Sequence, residues 1–253
     1  MKLKQLVSYL DKELDLAGFA GDHSNNGLQV EGKDEVSHLI FGVDACQELF
    51  DIAAEKKADF VFVHHGLSWG GEPRRFTGTV ARRLEKLFNA GISLYAAHLP
   101  LDAHPVAGNN AQLAEMVGLK ERLSFFRYDG VDIGFRGHLA DPAPGKLLAQ
   151  FLGTKLNVDP LFYGDPEREA RHIAIVSGGG GLESLEEAAA KGCDLLITGE
   201  FDHVMFHPRQ ELDVNVIALG HYASETTGPL ALMRKVMTDL DLHAEFVDIP
   251  TGL

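Results

Sequence analysis

The sequence predicts an α/β protein made of two similar three-layer α/β/α domains related by internal duplication. Three observations carry that expectation. Short β-branched and aromatic runs alternate with helical stretches along all 253 residues. The run from Ala53-Ala54 to Asp59-Phe60-Val61-Phe62 aligns with that from Ala188-Ala189 to Asp194-Leu195-Leu196-Ile197, apolar and charged positions largely coinciding. One exit pattern also occurs twice: His98-Leu99-Pro100-Leu101-Asp102 and His221-Tyr222-Ala223-Ser224-Glu225 each follow an apolar run and place a carboxylate four residues after a histidine.

The elements follow in order. Residues 4–14 have amphipathic helical spacing and open the first half, as residues 146–156 open the second. Residues 22–32, with Asn25-Asn26-Gly27, read as a turn-rich entry to a strand, whose asparagines can simply satisfy the turn. Strands are expected at 38–43, 59–63 and 92–97, and helices at 47–57, 78–89 and 109–117. The second half repeats the scheme with strands at 172–177, 195–198 and 214–219 and a helix at 182–191. A helix at 226–240 and a strand at 244–247 close the chain. This alternation implies mainly parallel βαβ units. The boundary is expected near residues 124–130, giving domains 1–126 and 127–253, with Asp141-Pro142-Ala143-Pro144-Gly145 as a helix-start turn.

Composition narrows the function classes. Apolar residues at 45% and charged residues at 24% are ordinary for a soluble globular protein. A formal charge of −14 argues against charge-driven binding to nucleic acid or an anionic membrane. Arg74-Arg75 and Arg82-Arg83 read as a solvated helix face. Cys46 and Cys193 form no CxxC and have no assignable base, as in a reduced cytoplasmic protein. The first residues open an amphipathic helix rather than a signal peptide, and no apolar run approaches a membrane span. The expectation is a cytoplasmic protein with no membrane partner.

The chemistry sits at strand exits, where open α/β sheets bind ligands. The strand at 59–63 ends in the adjacent pair His64-His65, and the two repeated exits add His98, Asp102, His221 and Glu225. A lone histidine there would be a satisfied polar residue. An adjacent pair with two matched His-x-x-x-carboxylate exits supplies five or six N/O ligands, which predicts a metal site with two ions. Such ligands suit Zn, Fe, Mn, Co or Ni. Glu225, with the longer reach, is expected to bridge, and Asp102 to be terminal. If the halves pack about a pseudo-twofold axis, the site falls in the cleft between domains. Glu200 and His203 follow the strand at 195–198 and are expected near the cleft, as substrate contacts, supports of a ligand, or plain loop residues. Ser177-Gly178-Gly179-Gly180-Gly181 reads as a tight turn or an anion cradle.

These motifs, with Asn26-Gly27-Leu28-Gln29-Val30-Glu31-Gly32, Gly108-Asn109-Asn110 and Ile197-Thr198-Gly199-Glu200, resemble those of a known family across essentially the whole chain. It is the dinuclear-metal-centre family called GTP cyclohydrolase I type 2 homologues, or Nif-three-like proteins. The resemblance implies two α/β domains with a di-metal site between them, in a toroidal homohexamer whose sites face the interior. It implies His64, His65, Asp102, His221 and Glu225 as the metal ligands, Glu225 bridging, with His98 beside the metals. It also implies opening of the imidazole ring of GTP with release of formate. In that chemistry His98 would shuttle protons, and Glu200 or His203 would hold the base or sugar. The expected function is a dinuclear-metal-dependent hydrolase of a nucleotide or related small molecule. A two-metal phosphoester hydrolase is the alternative within enzymes, and a metal-binding or trafficking protein the alternative outside them.

Overall fold

Leu3, Leu6 and Leu10 are the buried face of the first helix, α1 (Leu3–Glu13), in a computed structural model that describes residues 1–253. The chain continues through β1 (Gly27–Val30), β2 (His38–Phe41), α2 (Gln47–Glu55), β3 (Phe60–Val63), α3 (Gly78–Ala90), β4 (Ser93–Ala96), the single turn α4 (Leu99–Asp102) and α5 (Asn109–Met116). A hairpin of β5 (Lys120–Tyr128) and β6 (Val131–Pro144) leads to α6 (Gly145–Leu156), β7 (Leu161–Tyr163), β8 (Glu169–Val176), α7 (Gly181–Ala190) and β9 (Leu195–Thr198). Then come α8 (Phe206–Leu212), β10 (Asn215–Ala218), the single turn α9 (His221–Ser224), α10 (Thr227–Leu240) and β11 (His243–Phe246). The helices and strands expected from periodicity are all present, their ends shifted by a few residues.

The strands form two sheets, ordered β1-β4-β3-β2-β11 and β5-β6-β8-β9-β10-β7. Strands β3, β4, β9 and β10 are buried at every position, as their continuous apolar runs require in a sheet covered on both faces. Each sheet contains the same core: β2-β3-β4 run parallel with β1 antiparallel to β4, and β8-β9-β10 run parallel with β7 antiparallel to β10.

The aligned stretches build the same corner twice. Ala58 N donates to Ala53 O, and Cys193 N to Ala188 O, each at 2.9 Å. Lys57 and Gly192 hold the left-handed conformation there, with φ of 56° and 71°. Asp59 Oδ2 then accepts the amides of Ser37 and His38, as Asp194 Oδ2 accepts those of Arg171 and His172. The duplication is therefore written in backbone connections as well as in sequence.

The compact units are not the halves 1–126 and 127–253. One comprises Met1–Leu101 with Pro229–Ile249, the other Asp102–Gly228 with Pro250–Leu253. Residues 124–130 do not link domains but lie in the β5–β6 hairpin, where Tyr128 pairs with Val131 across Asp129 (φ 45°) and Gly130 (φ 85°). Two left-handed residues are what a two-residue hairpin loop demands. At the other end, β11 pairs parallel with β2 and so belongs to the first sheet. The long hairpin also makes the second sheet mixed rather than mainly parallel. The segment 141–145 extends β6 up to Pro144 before α6 begins.

Each unit has its own core, around Val61, Leu94 and Phe50 in the first and Ile175, Ile197 and Leu152 in the second. Burial pushes the Cys193 thiol up to about 11, which leaves it protonated and unreactive at neutral pH. No helix is long and apolar enough to cross a membrane.

Candidate metal centre

In the first unit the site grows from the exits of β3 and β4. Successive residues of a regular strand point to opposite faces. Here the strand stops at Val63, and the amides of His64 and His65 both donate to Val43 O, at 2.9 and 2.8 Å. That turn brings the two imidazoles to one place, with ring centroids 4.6 Å apart. His98 joins them from the exit of β4, 5.2 Å from the His64 ring and 5.8 Å from that of His65. One ring nitrogen from each histidine lies within 4.8 Å of the other two. Trp69 packs edge-on against His98 at 5.0 Å, its indole N–H donating to Gly66 O.

The turn at residues 22–32 positions His98. Asn26 Oδ1 accepts the His98 amide at 2.8 Å, and Asn26 Nδ2 donates to Asp22. Asp22 in turn accepts the Leu99 amide and His98 Nδ1, each at 3.0 Å. Burial works against the charged form of Asp22, but its hydrogen bonds from His98, Asn26 and the Ser24 amide outweigh this and hold its pKa below the ordinary range.

In the second unit the site grows from the end of α4 and from α9. Asp102 is buried, and its Oδ1 accepts from Asn109 Nδ2 at 2.9 Å and Ser177 Oγ at 3.1 Å. Asn109 Oδ1 also accepts the Gly228 amide at 2.7 Å, and Asn110 Oδ1 the Ser177 amide at 2.6 Å. The buried pair Asn109-Asn110 thus fixes the carboxylate and the loop after β8 together. Glu225 is buried just after α9, with Oε2 3.2 Å from His221 Nε2. A carboxylate oxygen of Asp102 lies within 4.8 Å of one of Glu225, so Glu225 has both Asp102 and His221 close by.

The glycine run resolves as a structural turn. Gly178, at φ 61°, donates its amide to Ser224 Oγ, and its carbonyl accepts the amides of Gly199 and Glu200. A Cβ at residue 178 would collide with Glu225 Oε1, so a side chain there would push out the carboxylate. Glu200 Oε1 meets His221 Nδ1 at 2.6 Å, while His203 is exposed at the start of a 3-10 turn (His203–Met205).

All four imidazoles share one arrangement. Nδ1 of His64 meets Ala97 O at 2.9 Å, that of His65 meets Asp44 Oδ1 at 2.8 Å, and those of His98 and His221 meet Asp22 and Glu200. A carbonyl or carboxylate oxygen only accepts, so each Nδ1 is the donor, and Nε2 is the ring nitrogen on the side away from that acceptor. That is the tautomer and orientation in which metal-ligating histidines are held. Imidazole and carboxylate donors of this kind suit divalent ions of the Zn, Fe or Mn type. The Glu225 carboxylate at Nε2 is the main reason the His221 pKa is pushed up to about 9. Burial opposes the shift, and Glu200 adds to it.

The sequence reading had not singled out Asp22 and Asp44. Asp44 stands just past the exit of β2, and that position was the available signal.

A sequence model of the Duf34/NIF3 (NGG1p interacting factor 3) family matches residues 1–251. A Pyrococcus horikoshii protein named GTP cyclohydrolase 1 type 2 homolog is 45% identical over 254 residues, with 100% of both chains covered. An Escherichia coli K12 protein of the same name is 38% identical over 250 residues, 99% of each chain. Among solved structures, the protein ybgI, described as of unknown function, superposes with a TM-score of 0.92 at 38% identity over 100% of both chains. A Thermus thermophilus protein does so with a TM-score of 0.89 at 40% identity, again over 100% of both. Whole-length matches of this strength settle the family: the chain belongs to the Duf34/NIF3 family.

Proposed function

We propose that His64, His65, Asp102, His221 and Glu225 hold two divalent metal ions and that the protein is a hydrolase of a nucleotide or related small molecule. The observation that carries this reading is the shared tethering of the imidazoles. Each Nδ1 is committed to an oxygen acceptor, the arrangement in which histidines are held when they ligate through Nε2. Bound ions of the Zn, Fe or Mn type would supply Lewis acidity and acidified water. The chain's own residues do the rest. Glu225, close to both His221 and Asp102, would be the carboxylate shared between the ions. His98 stands against His64 and His65, and on this reading its tethered ring moves a proton at Nε2. Glu200 orients His221, and Trp69 covers His98 on one side.

Within this class the names of the relatives favour ring opening of GTP with release of formate. The test is formate production from GTP by protein reconstituted with Zn, Mn or Fe, with Glu225→Ala as the control. Turnover that the variant lacks supports the reading. Absence of turnover with every metal, two ions remaining bound, would remove GTP as substrate and direct assays to phosphoesters. On the same reading the chain is one subunit of a cytoplasmic homohexameric ring, checked by light scattering of the purified protein.

A further inference from the structure

We propose a second, independent metal site on the first sheet, formed by His38, His243 and Glu245 for a single first-row transition ion such as zinc. Strand register brings the three together. β11 pairs parallel with β2 so that His243 lies opposite His38, and opposite residues of paired strands share a face. Glu245 is two residues beyond His243 on the same strand, and side chains two apart share a face as well.

The side chains meet at ligand spacing. His38 Nε2 is 3.0 Å from Glu245 Oε1, and His243 Nε2 is 3.6 Å from the same oxygen. The imidazole rings stack at 4.6 Å with a 30° tilt, and the three donor atoms lie within 4.8 Å of one another. A tetrahedral zinc ion with bonds of about 2.0–2.1 Å sets its ligand atoms roughly 3.3 Å apart. The two observed nitrogen–oxygen distances bracket that value. Lys56 Nζ holds the second carboxylate oxygen at 2.7 Å, which fixes the plane of Glu245 and leaves Oε1 to the imidazoles. Side-chain exposure rises from 17% for His38 and 35% for Glu245 to 64% for His243, so the open side of the cluster faces solvent, where water completes the coordination.

The second unit provides an internal control. His172 on β8 lies opposite His138 on β6, the same histidine pair on the equivalent strand. The residues two away on those strands are Ala170, Ala174, Arg136 and Ala140. Asp194 reaches His172 at 3.5 Å and Glu121 reaches His138 at 3.9 Å, but each meets one ring, and no three donors gather at ligand spacing. Of the two pairs, only His38 and His243 share one carboxylate at ligand spacing. β11 is the edge strand of its sheet. An ion ligated from both β2 and β11 would staple that edge.

Zinc binding at pH 7.5, measured by equilibrium dialysis, tests the site. The wild-type protein is expected to bind one equivalent more than His243→Ala or His38→Ala. The same difference of one is expected in a Glu225→Ala background, so failure of the dinuclear centre lowers the total without touching this difference. Amide hydrogen exchange in β11 gives a second readout. With free zinc at about ten times the dissociation constant, exchange in the wild type should slow about tenfold, and in His243→Ala it should not change. Equal zinc stoichiometry in wild type and both variants, or exchange in β11 indifferent to zinc, would overturn the proposal.

Discussion

Glu200→Gln removes the charged acceptor at His221 Nδ1 while keeping the size of the side chain. The His221 ring lies between Glu225 Oε2, 3.2 Å from Nε2, and Glu200 Oε1, 2.6 Å from Nδ1. Glu225 contributes most to raising its pKa to about 9, burial opposes the shift, and Glu200 adds to it. An ion at Nε2 must displace that proton, so apparent affinity should climb about tenfold per pH unit below pH 9 and level off above it. Between about pH 6 and pH 8 this amounts to ~100-fold. Glu200→Gln then has two opposed effects. Loss of the outer partner costs roughly 10–100-fold in metal affinity, but the competing proton is also held less tightly. The gap between variant and wild type should be widest above pH 9 and shrink as pH falls. Competition with a chromophoric chelator across this range measures both curves. Wild-type affinity that stays flat from about pH 6 to pH 8 would show that no such proton is displaced, and His221 would be lost as a ligand. A gap constant with pH would remove the coupling between Glu200 and the proton. Stability of the metal-free protein follows the same group. Its folded pKa lies above the ordinary histidine value, so its contribution is complete below about pH 6.5 and lost as pH rises through 9. The thermal midpoint should fall over that window in the wild type and not in His221→Ala.

Four other substitutions probe separate parts of the site. Glu225→Ala should lose at least one of two bound ions by elemental analysis, and full retention would remove it as the bridge. His98→Ala should keep both ions and lose formate release, whereas loss of an ion would make His98 a ligand. Gly178→Ala combines a left-handed φ of 61° with a Cβ driven into Glu225. It should cost at least about 1 kcal/mol in chemical denaturation and lower the metal content as well; unchanged metal content would show that Glu225 has room to move. Asn109→Ala strips partners from the Asp102 carboxylate and the buried Gly228 amide. A loss of about 1–3 kcal/mol per unsatisfied group is expected in urea unfolding, and a loss below about 0.5 kcal/mol would mean that other groups take over.

The parallel cores were legible because their strands are continuous apolar runs of the right length between helical stretches. The β5–β6 hairpin was not, because so little of its pattern comes from burial. In β5 only Phe125 and Phe126 are buried, so no alternation marks the strand. The one local signal was Asp129-Gly130, the dipeptide that a two-residue loop with both φ positive selects. A domain boundary near residues 124–130 leaves that signal unused and misses the antiparallel half of the second sheet. The assignment of β11 to the first sheet was out of reach for a different reason. Strand pairing between residues 38 and 243 is a long-range choice that periodicity does not encode.

At the metal centre the histidines and carboxylates were visible because ligand chemistry restricts residue type, and duplication placed them at equivalent exits. What holds them was mostly invisible. Asp22, Asp44 and Ala97 O are joined to their imidazoles by the fold and not by spacing. The duplication also explains how one device supplies two kinds of donor. The exit of β3 carries His64 and His65, and the equivalent exit of β9 carries Gly199 and Glu200. In the first unit the residue after that strand is an imidazole. In the second it is a glycine, where a Cβ would meet Ser224 Oγ at 2.7 Å and the backbone of Gly178 at 2.6 Å. The glycine lets the loop bearing Gly178 close down, and that loop leaves room for Glu225 only because residue 178 has no side chain either. At this one exit, therefore, the first copy of the repeat presents two imidazoles, and the second gives up side chains at two positions to make space for the Glu225 carboxylate.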